Sequence, residues 1–231
     1  MLTLRNLYFA RDAFALRADW SLGAGARVAV LGPSGGGKST LLSLIAGFEV
    51  PTRGRILWEE TDLTDASPGE RPISIIFQDM NLFPHLTVAQ NVGLGLDPRL
   101  KISDEARARV TDVLGRVGLG SKGDAKPGAL SGGQRARAAL ARAFLRARPV
   151  LLLDEAFSAL GPALKDEMFA LMDELVPPET TLLMVTHDPQ EAERMAELIV
   201  VDEGEAAPPA AAGPLLADPP PTLRAYLGHR P

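Results

Sequence analysis

The apolar positions of this chain fall into two kinds of pattern. Four short runs are apolar at nearly every position: RVAVLG (27–32), VLLLDE (150–155), TLLMVTH (181–187) and LIVVDEG (198–204). Unbroken runs of this length suit strands covered on both faces, and hence a parallel sheet. The first three end at a glycine, a carboxylate pair and a histidine. The carboxyl edge of an open α/β sheet is where ligands bind.

Helical periodicity fills the intervals. STLLSLIAGF (39–48) follows the first run. SDEARARVTDVLGRVGLG (103–120) puts Ala106, Val110, Val113, Leu114 and Val117 on one stripe, with Asp104 and Glu105 in the first turn. PALKDEMFALMDELV (162–176) starts with proline at N1 and turns Met168, Leu171, Met172 and Leu175 inward. A shorter helix is expected over 188–198. The first 25 residues alternate partially, which predicts antiparallel strands joined by a polar turn near Arg11 and Asp12. The proline- and alanine-rich stretch 205–221 reads as a loose, partly extended segment before a short last helix. The fold class is therefore α/β.

Composition narrows the function. A chain of 231 residues with 46% hydrophobic content can bury one large core. A net charge of −5 argues against nucleic acid as a partner, because such binding works by neutralising phosphates. Without cysteine there is no disulfide and no thiolate metal site. No apolar run approaches the roughly 20 residues that cross a bilayer, and the start lacks an apolar signal core. Work at a membrane would go through a partner.

Three clusters carry chemistry. The stretch Gly32-Pro33-Ser34-Gly35-Gly36-Gly37-Lys38-Ser39-Thr40 follows a strand and opens a helix. Its glycines let backbone N–H groups converge on phosphates, and the helix aims its positive end at them. Lys38 is placed to bridge the β- and γ-phosphates, the Ser39 hydroxyl to ligate Mg²⁺, and Thr40 to support the phosphates. Asp154 and Glu155 end a strand; the first suits the magnesium shell and the second the attacking water. Finally, Ser131-Gly132-Gly133-Gln134 begins a helix running toward Arg148. A serine hydroxyl with bare N–H groups at a helix start makes an anion site. It needs a second phosphate, or the same nucleotide held by another subunit.

LSGGQ (130–134) resembles the signature motif of the ABC transporter ATPases, and the other marks agree. In that family two ATPase subunits pack head to tail, and the signature of one covers the γ-phosphate on the phosphate loop of the other. The resemblance implies a P-loop NTPase fold with a RecA-like core, an antiparallel β part and an inserted helical subdomain. It spans residues 1–204, with the helical subdomain at about 80–148 and a C-terminal tail at 205–231. Gln78 in IIFQDM matches the Q-loop, which reaches magnesium and the attacking water. His187 in MVTHD matches the switch histidine that contacts the γ-phosphate. ATP and Mg²⁺ are thus the implied ligands, with Glu155, His187 and Gln78 catalytic and Ser39, Gln78 and Asp154 at the metal. Three positions depart from the family pattern. Ala156 stands where proline usually follows the glutamate, and Gly161 replaces the usual aspartate of the D-loop. Arg11 aligns with the aromatic that stacks on adenine; Phe9 is the expected replacement, with Tyr8, Phe14 or the Arg11 guanidinium as alternatives.

The stretch FQDMNLFPHLTVAQNVGLGLDPRLKI (77–102) is similar to the ATP-binding subunits of thiamine importers. There the family grips the coupling helix of its membrane partner. The resemblance implies a homodimer on the cytoplasmic face of the bacterial inner membrane. It would bind an integral permease, with a periplasmic binding protein indirectly upstream. Other importers, a lipid or lipoprotein exporter and a non-transport ATPase remain the alternatives.

Overall fold

The computed structural model describes residues 1–226. The strands are β1 (Leu2–Arg11), β2 (Phe14–Leu22), β3 (Arg27–Leu31), β4 (Arg53–Trp58), β5 (Thr61–Asp62), β6 (Ile73–Ile76), β7 (Val150–Asp154), β8 (Thr181–Val185), β9 (Glu197–Asp202), β10 (Glu205–Ala206) and β11 (Ala210–Ala211). The α-helices are α1 (Lys38–Ala46), α2 (Val88–Gly93), α3 (Asp104–Arg116), α4 (Gly132–Arg146), α5 (Pro162–Leu175), α6 (Pro189–Glu193), α7 (Ala212–Ala217) and α8 (Pro221–Tyr226). They form two compact units. One comprises 1–73, 149–155 and 179–226; the other comprises 74–148 and 156–178.

The first unit joins two kinds of sheet. Strands β9, β3, β8 and β7 are parallel neighbours in that order. All five residues of β8 are buried, as an unbroken apolar run requires. Strands β5, β4, β1 and β2 are antiparallel, and β10 links β2 to β9. The alternation of β1 is only partial because the register shifts between Leu4 and Leu7, where Asn6 takes a φ of 46°. The parallel arrangement sends β3 and β7 to the same edge, so the loop after Leu31 and the carboxylates at 154–155 emerge together.

The second unit is helical. In α2, Thr87 and Gln90 form a reciprocal cap, and the buried Asn91 holds the preceding loop. Its amide donates to the carbonyls of Phe83, Leu86 and Thr87, and its oxygen accepts the Phe83 N–H at 2.7 Å. Helices α4 and α5 pack with an Arg137–Glu167 ion pair between them.

Several element boundaries differ from expectation. Helix α3 stops at Arg116 because Gly118 adopts a φ of 69° and the Leu119 N–H returns to the Leu114 carbonyl. Helix α4 ends at Arg146, with Ala147 left-handed behind it, short of Arg148. Helix α6 spans only 189–193, since the chain must turn to enter β9 at Glu197, opposite Val28. In α5 the inward set includes Phe169, edge-on to Phe157 at 5.8 Å, while Leu171 is only half-buried. The stretch 205–221 is ordered instead of loose. Trp20 Nε1 donates to the Ala206 carbonyl at 3.2 Å, β11 pairs with β9, and α7 forms with its N-terminal amide on Ala196. Pro214 falls in the first turn of α7, where a missing N–H costs little. The last expected helix is present as α8, and 227–231 lie outside the described residues.

Candidate functional site

The loop between β3 and α1 is shaped by what its glycines permit. Gly32 has a φ of 151°, and a Cβ there would lie 1.9 Å from the Val201 carbonyl oxygen. Gly37, the residue before α1, has a φ of 111°, and a Cβ would meet the Phe14 ring at 2.9 Å. No other residue fits either place without displacing backbone or ring. Lys38 turns back over the loop, donating to the carbonyls of Gly32 at 2.8 Å and Pro33 at 2.9 Å. The loop thus encloses its own lysine, with the first N–H groups of α1 unspent beside it.

Asp154 lies across from this helix start. The Ser39 hydroxyl donates to Asp154 Oδ1 at 3.2 Å. Burial raises the Asp154 carboxyl above its ordinary range, opposed by the Ser39 hydrogen bond, and Glu155 adds to the rise. Burial lowers the Lys38 ammonium, against the attraction of Glu155 and Asp154. Glu155 leaves the strand with a φ of 48° while its N–H stays on the Val185 carbonyl at 3.1 Å. That left-handed step carries its carboxylate to within 3.6 Å of His187 Nδ1. Lysine, serine, two carboxylates and histidine therefore gather at one sheet edge. The oxygen pair of Ser39 and Asp154 suits a small hard cation.

A hollow of about 580 Å³ continues from the first turn of α1 to the β1–β2 turn, lined by Ser39, Thr40, Phe9, Arg11, Phe14 and Glu49, among others. Phe9 is only 6% exposed, and the Arg11 guanidinium lies 5.3 Å from its ring centroid. Glu49 holds Arg11 by a side-chain hydrogen bond. The open surface of the hollow is thus a guanidinium backed by a ring, with Phe14 half-buried beside it.

The second unit holds the remaining candidates. Ser131 caps α4 reciprocally with Gln134: the serine oxygen accepts the Gln134 N–H at 3.3 Å, and the glutamine oxygen accepts the Ser131 N–H at 3.0 Å. Ser131 and Gly132 are exposed, so this positive helix end faces outward. Gln78, also exposed, donates to Ser158 at 3.4 Å. Gly161 is extended at the start of α5 with open space around its Cα, so nothing local demands glycine there. A groove of about 350 Å³ runs past Ile75, Phe77, Leu94, Arg142 and Phe83, the last 48% exposed.

Arg71 was not foreseen. It is fully buried, and donates to the carbonyls of Leu44 and Ile45, both at 2.7 Å, of Ala66 at 2.9 Å and of Thr64 at 3.1 Å. A cation is thereby fixed at the negative end of the helix whose positive end holds the phosphate loop.

Comparison with known proteins agrees with this geometry. A family model described as ABC transporter matches residues 16–158. The thiamine import ATP-binding protein ThiQ of Cereibacter sphaeroides is 59% identical over 99% of this chain and 100% of its own. That of Yersinia pestis is 51% identical over 87% of each. Among solved structures, the ATP-binding cassette MJ0796, a dimer in a post-hydrolysis state with ADP and Pi, superposes with a TM-score of 0.80. It is 29% identical over 92% of this chain and 99% of that one. MJ1267, an ATP-binding cassette of an ABC transporter, gives 0.84 at 25% identity over 95% and 96%.

Proposed function

The chain belongs to the ABC transporter family, and from that premise we propose that it is the ATP-hydrolysing subunit of a thiamine importer, acting as a homodimer under a separate membrane permease. The observation that carries the substrate is the 59% identity to a thiamine import ATP-binding protein along essentially the whole of both chains. Among the described residues no helix is long and apolar enough to cross a membrane; in this reading the subunit is peripheral, held at the cytoplasmic face by its permease. The import names of the relatives support uptake over export.

In this reading ATP is held by the 32–40 loop, with Lys38 on the β- and γ-phosphates. Ser39 and Asp154 would hold Mg²⁺, with Gln78 joining when the site is complete; the ion would neutralise charge on the phosphates. Ser131, Gly132, Gly133 and Gln134 of the partner subunit cap the γ-phosphate. Glu155 orients water for in-line attack and takes its proton, while His187 supports the departing phosphoryl group. Closing and reopening of the dimer moves the permease, whose coupling segment seats in the groove at Phe83. The permease in turn receives thiamine from a periplasmic binding protein.

Adenine rests on Arg11, backed by Phe9. Stacking of a base on such a surface is worth about 1–3 kcal/mol. Arg11→Ala is therefore expected to raise KM for ATP about tenfold with little change in kcat, and Arg11→Tyr to restore it, by steady-state phosphate release. The substrate is tested by uptake of labelled thiamine in cells lacking their own copy of the subunit. Parent protein should restore uptake and Lys38→Ala should not. Restoration of ATP-dependent uptake of another solute, with none of thiamine, would overturn the assignment.

A further inference from the structure

Next to the exposed His187 lies a buried pair that the mechanism above leaves unused. Thr186 is 2% exposed and Glu191, on α6, is 4% exposed. The Thr186 hydroxyl donates to Glu191 Oε2 at 2.5 Å and accepts the Asp188 N–H at 2.9 Å. One carboxylate thus governs both residues that flank the histidine. Asp188 in turn caps α6 by accepting the Gln190 N–H at 3.0 Å, which makes the turn and the helix a single hydrogen-bonded unit.

The turn is also tied to the strands on either side. The Thr186 N–H donates to the Val30 carbonyl at 3.3 Å, one residue before the end of β3. The Val185 carbonyl accepts the Glu155 N–H at 3.1 Å. Taking a carboxylate out of water costs free energy that an apolar side chain of similar size would not incur. What the carboxylate supplies instead is direction: an acceptor that orients the hydroxyl, so that its lone pair meets the Asp188 N–H.

We propose that Glu191 is a positioning residue for His187, acting through Thr186 to fix the backbone at 186–188 and so the aim of the imidazole at Glu155 and the γ-phosphate. This rests on the roles given above to Glu155 and His187. Ground-state binding of ATP falls to the phosphate loop and the adenine hollow, which the pair does not touch. A misaimed histidine is felt in the transition state, where a displacement of about 1 Å can cost a hundredfold.

Four variants, each checked for folding by thermal melting and by ATP-binding stoichiometry, test the assignment through steady-state phosphate release. Glu191→Ala and Thr186→Val are expected to lower kcat about 10- to 100-fold with KM for ATP within about twofold of the parent. Glu191→Gln keeps an acceptor oxygen for Thr186 and is expected to recover most of that loss. His187→Ala, measured in parallel, separates the two levels. Parental kcat in His187→Ala would remove the reading of the site itself. Loss in His187→Ala with parental kcat in Thr186→Val would overturn the positioning role alone, as would a loss expressed in KM. Should Glu191→Ala not fold, Thr186→Val decides, since it removes the hydroxyl at nearly constant shape.

Discussion

Glu155→Gln is expected to bind ATP as tightly as the parent and to release phosphate about a hundred- to ten-thousandfold more slowly. The substitution is close to isosteric, and the features that place residue 155 are carried by the backbone: its left-handed φ and its N–H on the Val185 carbonyl. A glutamine will therefore stand where the glutamate stands. It will lack the charge that polarises water and the basicity that accepts a proton. Binding is expected to be spared because, in the proposed site, the loop amides, Lys38 and the Arg11–Phe9 surface hold ATP without calling on a base at 155. A second consequence follows. With the γ-phosphate uncleaved, and one carboxylate fewer beside it, the dimer that ATP assembles should persist. Gel filtration with and without ATP reads the assembly, and phosphate release reads turnover. Parental turnover in this variant would remove Glu155 from the role of base.

The parallel strands were legible because burial on both faces leaves no choice of residue. Every position of Thr181–Val185 is inaccessible, and the sequence there is apolar but for one threonine, whose hydroxyl donates to the Gly23 carbonyl. The start of α4 was equally plain, since serine followed three residues later by glutamine is a helix cap in its own right. Long-range partners were not legible. In a polar stretch, SPGERP, Arg71 reads as a surface residue, yet it is buried because carbonyls from Leu44 to Ala66 converge on it. The tail fails for the same reason. Alanine and proline show no period, and the order of 205–217 comes from hydrogen bonds to Trp20 and Ala196 far back in the chain. The turn that orients His187 is intermediate. Its histidine stood out at a strand end, but the carboxylate five residues before Ala196 gave no sign that it would be buried beneath it.

The site residues show the same division. Glycine at 32 is required by the carbonyl of Val201, a contact no local rule supplies, but its need is announced by the motif around it. Arg11 is the reverse. Its departure from an aromatic was visible, while its support was not: Phe9 lies behind the guanidinium and Glu49 holds it from the other side. A planar cation backed by a ring is a flat surface of the right size for a base, reached through different chemistry.

Gly133→Asp is expected to leave the isolated subunit folded and able to bind ATP within about twofold of the parent, while ATP-driven dimerisation is lost and turnover falls at least a hundredfold. A Cβ at 133 would meet the Leu164 side chain at 3.2–3.3 Å. Leu164 is 37% exposed and can swing toward solvent, so the new atom is accommodated. Residue 133 lies in the first turn of α4, where a carboxylate favours the helix by about 0.3–1 kcal/mol, offset by the cost of placing a charge at a buried position, so the melting temperature should stay near that of the parent. In the proposed dimer the start of α4 is where the partner's γ-phosphate must arrive, and a negative charge added there repels it. One substitution thus removes turnover while stability and ATP binding hold, which a variant that merely damaged the fold does not do. If ATP binding to the isolated subunit fell in step with turnover, the 131–134 segment would be serving its own chain's nucleotide, and the head-to-tail dimer would not be the working form.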